Sequence, residues 1–218
     1  LTTDYGGPHS NDVTHMALLG FADGSYVELI STMRPGEPSP WWDRHIHGAG
    51  GPCAWAVSVD DVTAEAKRVA ALGVAVRGPY RMSRTRPDGL LVEWELAYLG
   101  EGDPGATLPF IIHDVSPRWH RVRPSASVVE RDEHGALLPN RLTGVAAVII
   151  GVADLNSGAD LFRRVYSWPP PQEWESPLMK AKLARFPETP VVLATPAESR
   201  SWLAERLARF GDSPCAYL

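Results

Sequence analysis

The chain has little cysteine, two residues in 218. Two cysteines cannot build a disulfide framework, and Cys53 and Cys215 lack metal-knuckle spacing, so both read as small interior residues. Long apolar runs are missing as well. The longest, Val145–Ala153, is far shorter than the roughly 20 residues that span a bilayer, and no basic-then-apolar pattern opens the chain. The expected compartment is therefore the cytoplasm. There is no basic run to offset a net charge of −5, which argues against nucleic acid or an anionic membrane as partner. The arginines between Arg118 and Arg131 are mixed with proline and acidic residues and read as a solvated linker. No glycine-rich phosphate loop, nucleophile elbow or paired-cysteine motif is present.

What the chain does have is ordinary globular material, 44% hydrophobic and 22% charged, enough for a sizeable core in one or two domains. Its organising stretch is Gly51–Gly73, GPCAWAVSVDDVTAEAKRVAALG. Cys53–Val59 alternates a bulky face (Cys53, Trp55, Val57, Val59) with a small one (Ala54, Ala56, Ser58), as a strand does. Asp60 and Asp61 are acceptors suited to a helix start, and Val62, Ala66, Val69, Ala70 and Leu72 recur at helical spacing until Gly73.

The unit recurs. Thr143–Tyr166 is again an apolar run, an aspartate and a helix, with Leu155, Ala159, Leu161, Phe162 and Val165 on one stripe. Asp212–Leu218 begins it a third time. Upstream, Val13–Phe21, the hairpin signal Ala22–Ser25 and Tyr26–Ser31 match Leu178–Phe186, a turn and Pro190–Thr195. Whole strand–helix units recur, which indicates a duplicated domain and not a short-period solenoid.

The expected organisation is a domain over 1–116, a linker over 117–142 rich in proline, arginine and serine with a turn at Glu133–Gly135, and a second, diverged half over 143–218. Leu1–Asp12 reads as a loop. Val74–Tyr80 reads as a short strand ending at Gly78-Pro79, and Arg81–Gly89 as a connection closed by a Pro-Asp-Gly turn. Val92, Trp94, Leu96 and Tyr98 share a face of the strand Leu90–Leu99, and Leu108–Asp114 closes the first half. The first copy lacks an opening strand and helix, and the last strand has no helix after it, so a longer parent protein is expected. The fold class is α+β: βαβββ modules with helices on one sheet face and the other face open to a ligand.

Over residues 6–114 the motifs GGPHSNDVTHMALLGFADGSYVELI (6–30), AWAVSVDDV (54–62), SRTRPDGLLVEW (83–94) and LPFII (108–112) resemble the glyoxalase-like domain family. That family lies within the vicinal oxygen chelate (glyoxalase/bleomycin resistance/extradiol dioxygenase) superfamily. The resemblance implies half-barrel sheets around a small-molecule cavity. It also implies a divalent metal, zinc, nickel, manganese or iron, held by a histidine at the head of one strand and a glutamate in another. Such an ion would stabilise charge developing on substrate oxygens while a neighbouring carboxylate moves a proton.

Glu28 is the first candidate, an acid inside an apolar strand that needs a partner unless it faces water; the resemblance places it at the glutamate ligand. His113 stands where a second acidic ligand would lie, and His15 is on the strand paired with that of Glu28, where the two could meet. Ala54 occupies the expected position of a ligand histidine, and Val192 or Leu193 that of Glu28 in the second half. Arg84 and Arg86, two apart, would project together from an extended chain and hold a carboxylate or phosphate, or else simply face solvent. Trp41, Trp42 and Trp94 are flat surfaces for a lid or cavity wall, with core packing the plainer role for Trp94. His45 and His47 have ligand-like spacing in a connection expected to be exposed.

Two main readings follow. One is a metal-dependent lyase or isomerase acting on a small oxygenated molecule, with Glu28 as metal ligand or proton shuttle and a divalent metal as cofactor. The other is a protein that sequesters a drug or metabolite without chemistry and needs no cofactor; a bare interaction module is a third. The expected partner is a small-molecule ligand, with no nucleic acid or membrane, on a monomer or homodimer.

Overall fold

In the computed structural model of the chain the described residues are 3–123, 130–131, 134, 137–138 and 143–218. The strands are β1 (Asp4–Pro8), β2 (Thr14–Gly20), β3 (Tyr26–Thr32), β4 (Ala56–Ser58), β5 (Val76–Thr85), β6 (Leu91–Leu99), β7 (Phe110–Asp114), β8 (Glu130–Arg131), β9 (Leu137–Leu138), β10 (Val148–Gly151), β11 (Gln172–Ser176), β12 (Ala181–Arg185), β13 (Val191–Pro196) and β14 (Ser213–Tyr217). The helices are α1 (Asp43–His47), α2 (Val62–Ala71), α3 (Arg118–Arg121), α4 (Leu155–Tyr166) and α5 (Trp202–Phe210). Among the described residues no helix is long and apolar enough to cross a membrane.

The class is α+β, and the βαβββ module occurs twice. In β4-α2-β5-β6-β7 the sheet order is β4-β7-β6-β5, and in β10-α4-β11-β12-β13 it is β11-β12-β13-β10. Each pairs its first strand with its last in parallel, β4 with β7 and β10 with β13. The helix between those two strands makes the parallel connection possible. Both module helices start on an aspartate, as the sequence indicates: Asp61 accepts from the Ala64 amide, and Asp154 from that of Ser157. β14 joins the second sheet beside β10, antiparallel to it, and a further sheet of order β1-β2-β3 and the β8–β9 pair complete the strands among the described residues.

The chain divides into two compact units. One comprises residues 1–40, 81–94 and 114–145, the other 41–80, 95–113 and 146–218. In the first, β2 and β3 form the expected hairpin, with Leu18 opposite Glu28 and His15 opposite Ser31. Met16, Leu18 and Val122 pack with Tyr26 on one side of that hairpin.

In the second unit the core is fixed by strand parity. Val192 and Ala194 of β13 pack with Ile149, Leu183 and the α5 residues Leu203 and Leu207. Leu193, one position out of phase, meets α4 at Gly158. Both faces of this sheet are therefore covered, one by α4 and one by α5. The open face expected from the sequence is filled here by α5. Phe162 of α4, wholly buried, stacks with Trp55 and Trp168 and leans on Phe186.

Three local expectations are corrected, and one further strand appears. Residues 4–8, read as loop, are β1, whose backbone pairs with β2. The expected strand over 53–59 shrinks to Ala56–Ser58; Trp55 instead bonds through its backbone to the Gly105 carbonyl and through its indole to that of Thr107. β5 does not stop at Pro79 but runs to Thr85, so Arg84 lies in a strand. The segment after Pro171 forms β11, an edge strand too polar to stand out as a strand in the sequence. The turn expected at Glu133–Gly135 lies outside the described residues except for His134.

Candidate functional site

The first unit gathers most of the chemistry. On β3 the side chains of Tyr26, Glu28 and Ile30 share a face, and across the hairpin they oppose Gly20, Leu18 and Met16. A half-buried ionised carboxylate against Leu18 and Met16 gains from a partner, because part of its hydration is lost there. His9 supplies one: its Nε2 lies 3.0 Å from Glu28 Oε1, and its Nδ1 lies 2.8 Å from Thr14 Oγ1. The imidazole thus bridges a carboxylate and a hydroxyl, donating to Glu28 through Nε2–H and hydrogen-bonded to Thr14 Oγ1 at Nδ1.

The loop after β1 holds His9 in place. Asn11 Oδ1 accepts from the backbone amides of Val13 and Thr14, a side-chain turn, and the His9 amide donates to the Thr14 carbonyl. Thr14 is buried and also accepts from Asn11 Nδ2. Sequence reasoning missed His9 because the polar run around it looks like an open loop; its asparagine and threonine were the available signal.

The expected metal set does not assemble. His15 sits three positions from Leu18, the residue opposite Glu28, so strand parity puts it on the other face of the hairpin. There its ring meets Tyr5 edge-on at 5.8 Å. His113 belongs to the second unit and its Nδ1 donates to the Val59 carbonyl at 3.1 Å. Among the described residues no group of three or more His, Cys, Asp and Glu side chains is placed to hold a metal ion. The residues present do not fit the ion that the resemblance implies.

Beside the Glu28 face lies a small pocket lined by four arginines, Arg84, Arg86, Arg121 and Arg123, with Leu18 and the backbone around Gly6. Arg84 is buried and its Nη1 donates to the Gly6 carbonyl. The register of β1 slips between Tyr5 and Gly7, so Gly6 is bulged out of the ladder and its carbonyl is left for Arg84. A Cβ at position 6 would stand 2.7 Å from Met16 Cγ, so a larger residue there would displace the Met16 side chain. Arg86, which the sequence pairs with Arg84, does line the same pocket, but its Nη1 donates to the His120 carbonyl at 2.8 Å and its Nε to Asp88.

Arg121 overturns the reading of its segment as a solvated linker. Its guanidinium is buried over the Trp94 ring, 4.4 Å from the centroid, and its Nε donates to Asp114 Oδ1 at 2.6 Å. Trp94 is itself buried. Burial and the charge of Arg121 lower the pKa of Arg84, against a smaller raising effect of Glu28. Burial, then the Glu28 charge, pushes the Tyr26 phenol up to about 12.

The remaining candidates belong to the second unit. Trp42 donates from Nε1 to the Pro104 carbonyl, with Trp41 beside it at 6.1 Å. Ala54 offers its carbonyl to the Tyr217 hydroxyl at 2.6 Å. His45, expected to be exposed, is buried and stacked on Phe210 at 4.5 Å.

The sequence model of the glyoxalase-like domain family matches residues 1–166. The chain belongs to this family. Two solved structures share the fold. A hypothetical protein from Staphylococcus aureus is similar over 90% of this chain and 77% of its own, at 14% identity and a TM-score of 0.58. A triple mutant of 4-hydroxymandelate synthase from Streptomyces coelicolor is similar over 97% of this chain and 61% of its own, at 14% identity and a TM-score of 0.51. At that identity the likeness concerns the fold. No curated protein matches the sequence.

Proposed function

We propose that this glyoxalase-like protein binds a small oxygenated molecule beside the Glu28 face of the first unit and moves a proton within it. The observation that carries the reading is the bond between Glu28 Oε1 and His9 Nε2, a carboxylate fixed by an imidazole on the face that borders the four-arginine pocket. Leu18, which lines that pocket, is the residue opposite Glu28.

The chemistry is proton transfer next to a carbonyl. Glu28 takes a proton from the carbon beside the carbonyl, and the C–H electron pair passes to the carbonyl oxygen as an enolate. Tyr26, on the same face and held protonated, donates a hydrogen bond to that oxygen. With a 2-hydroxy ketone the adjacent hydroxyl then gives its proton to the enolate oxygen, its own oxygen becomes the new carbonyl, and Glu28 returns its proton to the former carbonyl carbon. His9 keeps the carboxylate oriented, and a positioned base of this kind contributes roughly 10²–10⁴-fold. No step passes through a metal, because no group of three or more His, Cys, Asp and Glu side chains among the described residues is placed to hold one.

The test follows exchange of the carbon-bound proton for deuterium by NMR, for a panel of 2-oxoaldehydes, 2-oxo acids and 2-hydroxy ketones, in the presence of a chelator. The wild type exchanges at least one of them, and Glu28→Gln slows that exchange by about 100-fold or more. Equal exchange in Glu28→Gln contradicts the proposal. Saturable binding without exchange gives the sequestering function instead.

A further inference from the structure

Two buried guanidiniums next to one another are an unfavourable arrangement unless something negative lies between or beside them. Arg84 and Arg121 are such a pair, each 7% exposed and both lining the pocket beside the Glu28 face. Arg84 has only a backbone carbonyl, that of Gly6, as its hydrogen-bond acceptor among the described residues. Arg121 gives its Nε to Asp114, but its Nη2 is buried with no partner among the described residues. Such an orphaned donor costs roughly 1–3 kcal/mol, more on a charged group.

The surrounding charges do not repair this. Asp114 is already bound on the Nε side of Arg121, and also takes Arg118 Nη1 at 3.4 Å. Asp88 is paired with Arg86, and Glu28 with His9. Asp4 is the one carboxylate among the described residues lining the pocket, and it is exposed. Trp94 fixes the plane of the Arg121 guanidinium and the bulge at Gly6 fixes that of Arg84, so both forks are preorganised.

We infer that this pocket is an oxyanion site, in which Arg84 and Arg121 together grip a carboxylate or phosphate group. A planar fork matches two oxygens of such a group, and the buried Arg121 Nη2 gains the acceptor it lacks. Arg121 replaces Arg86 as the second arm of the clamp, because the Arg86 head group is turned to the His120 carbonyl and Asp88. The inference rests on the proposed function only in making the anion part of the ligand handled by Glu28; the site itself stands on the arginines.

The test titrates the full chain with inorganic phosphate and, separately, with acetate, at constant ionic strength set by chloride, reading heat of binding and Tm. At least one anion binds saturably and raises Tm by about 3 °C at ten times its Kd. Phosphate alone assigns a phosphate group, acetate alone a carboxylate. Arg84→Met and Arg121→Met each weaken binding by tenfold or more, whereas Arg163→Met, on the exposed side of α4, leaves it unchanged. Loss of saturable binding in the wild type itself overturns the inference, as does equal binding in both pocket variants. Because the wild type answers first, a variant that misfolds does not leave the matter open. Glu28→Gln binds the anion at least as tightly as the wild type, so a failed proton-transfer reading and a failed anion site give different results.

Discussion

The guanidinium of Arg121 lies over the indole ring of Trp94 at 4.4 Å while its Nε holds Asp114 at 2.6 Å. One side chain thereby ties the end of β7 to β6 and α3 inside the first unit. Both members of the ion pair are almost fully buried, with side-chain exposures of 8% and 10%. Removing one partner strands the other charge. Arg121→Ala should destabilise the protein by about 3–5 kcal/mol, and Arg121→Met with Asp114→Asn should recover a large part of the loss. Chemical denaturation of the single and double variants checks this; additive losses would show that the pair is not coupled.

His9 and Glu28 are a partly exposed pair, so their coupling should be smaller. A double-mutant cycle of His9→Ala and Glu28→Gln is expected to give about 1 kcal/mol. A coupling near zero would mean that Glu28 is held by something other than His9.

His45 makes stability depend on acid. Burial first, and then the charge of Arg206, lowers its pKa to about 4 from an ordinary 6.5. Both ring nitrogens are buried without partners among the described residues. The folded-state value lies below the unfolded one, so the full stability is present above pH 6.5 and is lost as pH falls towards 4. Between those limits the unfolded chain takes up a proton that the folded chain does not. The loss is on the order of 2–3 kcal/mol. His45→Leu should flatten the fall in Tm between pH 7 and pH 4.5; an unchanged pH profile would count against the burial of the ring.

Phe162 closes the aromatic cluster of the second unit and is wholly buried. Phe162→Ala should cost about 3–5 kcal/mol. At the start of α5, where Ser201 Oγ accepts from the Ala204 amide, Ser201→Ala should cost about 1 kcal/mol. Thermal unfolding of the two variants ranks them, and the account requires the larger loss at Phe162.

Much of this architecture was legible in local sequence. Asp61 and Asp154 announce their helices, and the Ala22–Ser25 turn fixes the register that puts Glu28 on the Leu18 face. What was not legible depends on long-range pairing. β1 looks like a loop because its glycines and proline have weak strand propensity, and it becomes a strand only against β2. Arg121 reads as solvated among prolines and charges until Trp94 and Asp114, far away in sequence, come beside it. Strand pairing alone brings His15 near Glu28; strand parity, which needs the register, sends it to the opposite face. The filling of the second sheet by α5 likewise follows from which face Leu203 and Leu207 meet, which periodicity alone does not specify.

The central claim is that Glu28 moves a substrate proton and does not ligate a metal ion. It is tested most directly by elemental analysis of the purified wild type and of Glu28→Ala, run beside the deuterium-exchange assay. The account predicts no near-stoichiometric zinc, nickel, manganese or iron that depends on Glu28, with exchange persisting under chelation and lost in the variant. A near-stoichiometric metal in the wild type that disappears with Glu28→Ala would contradict it.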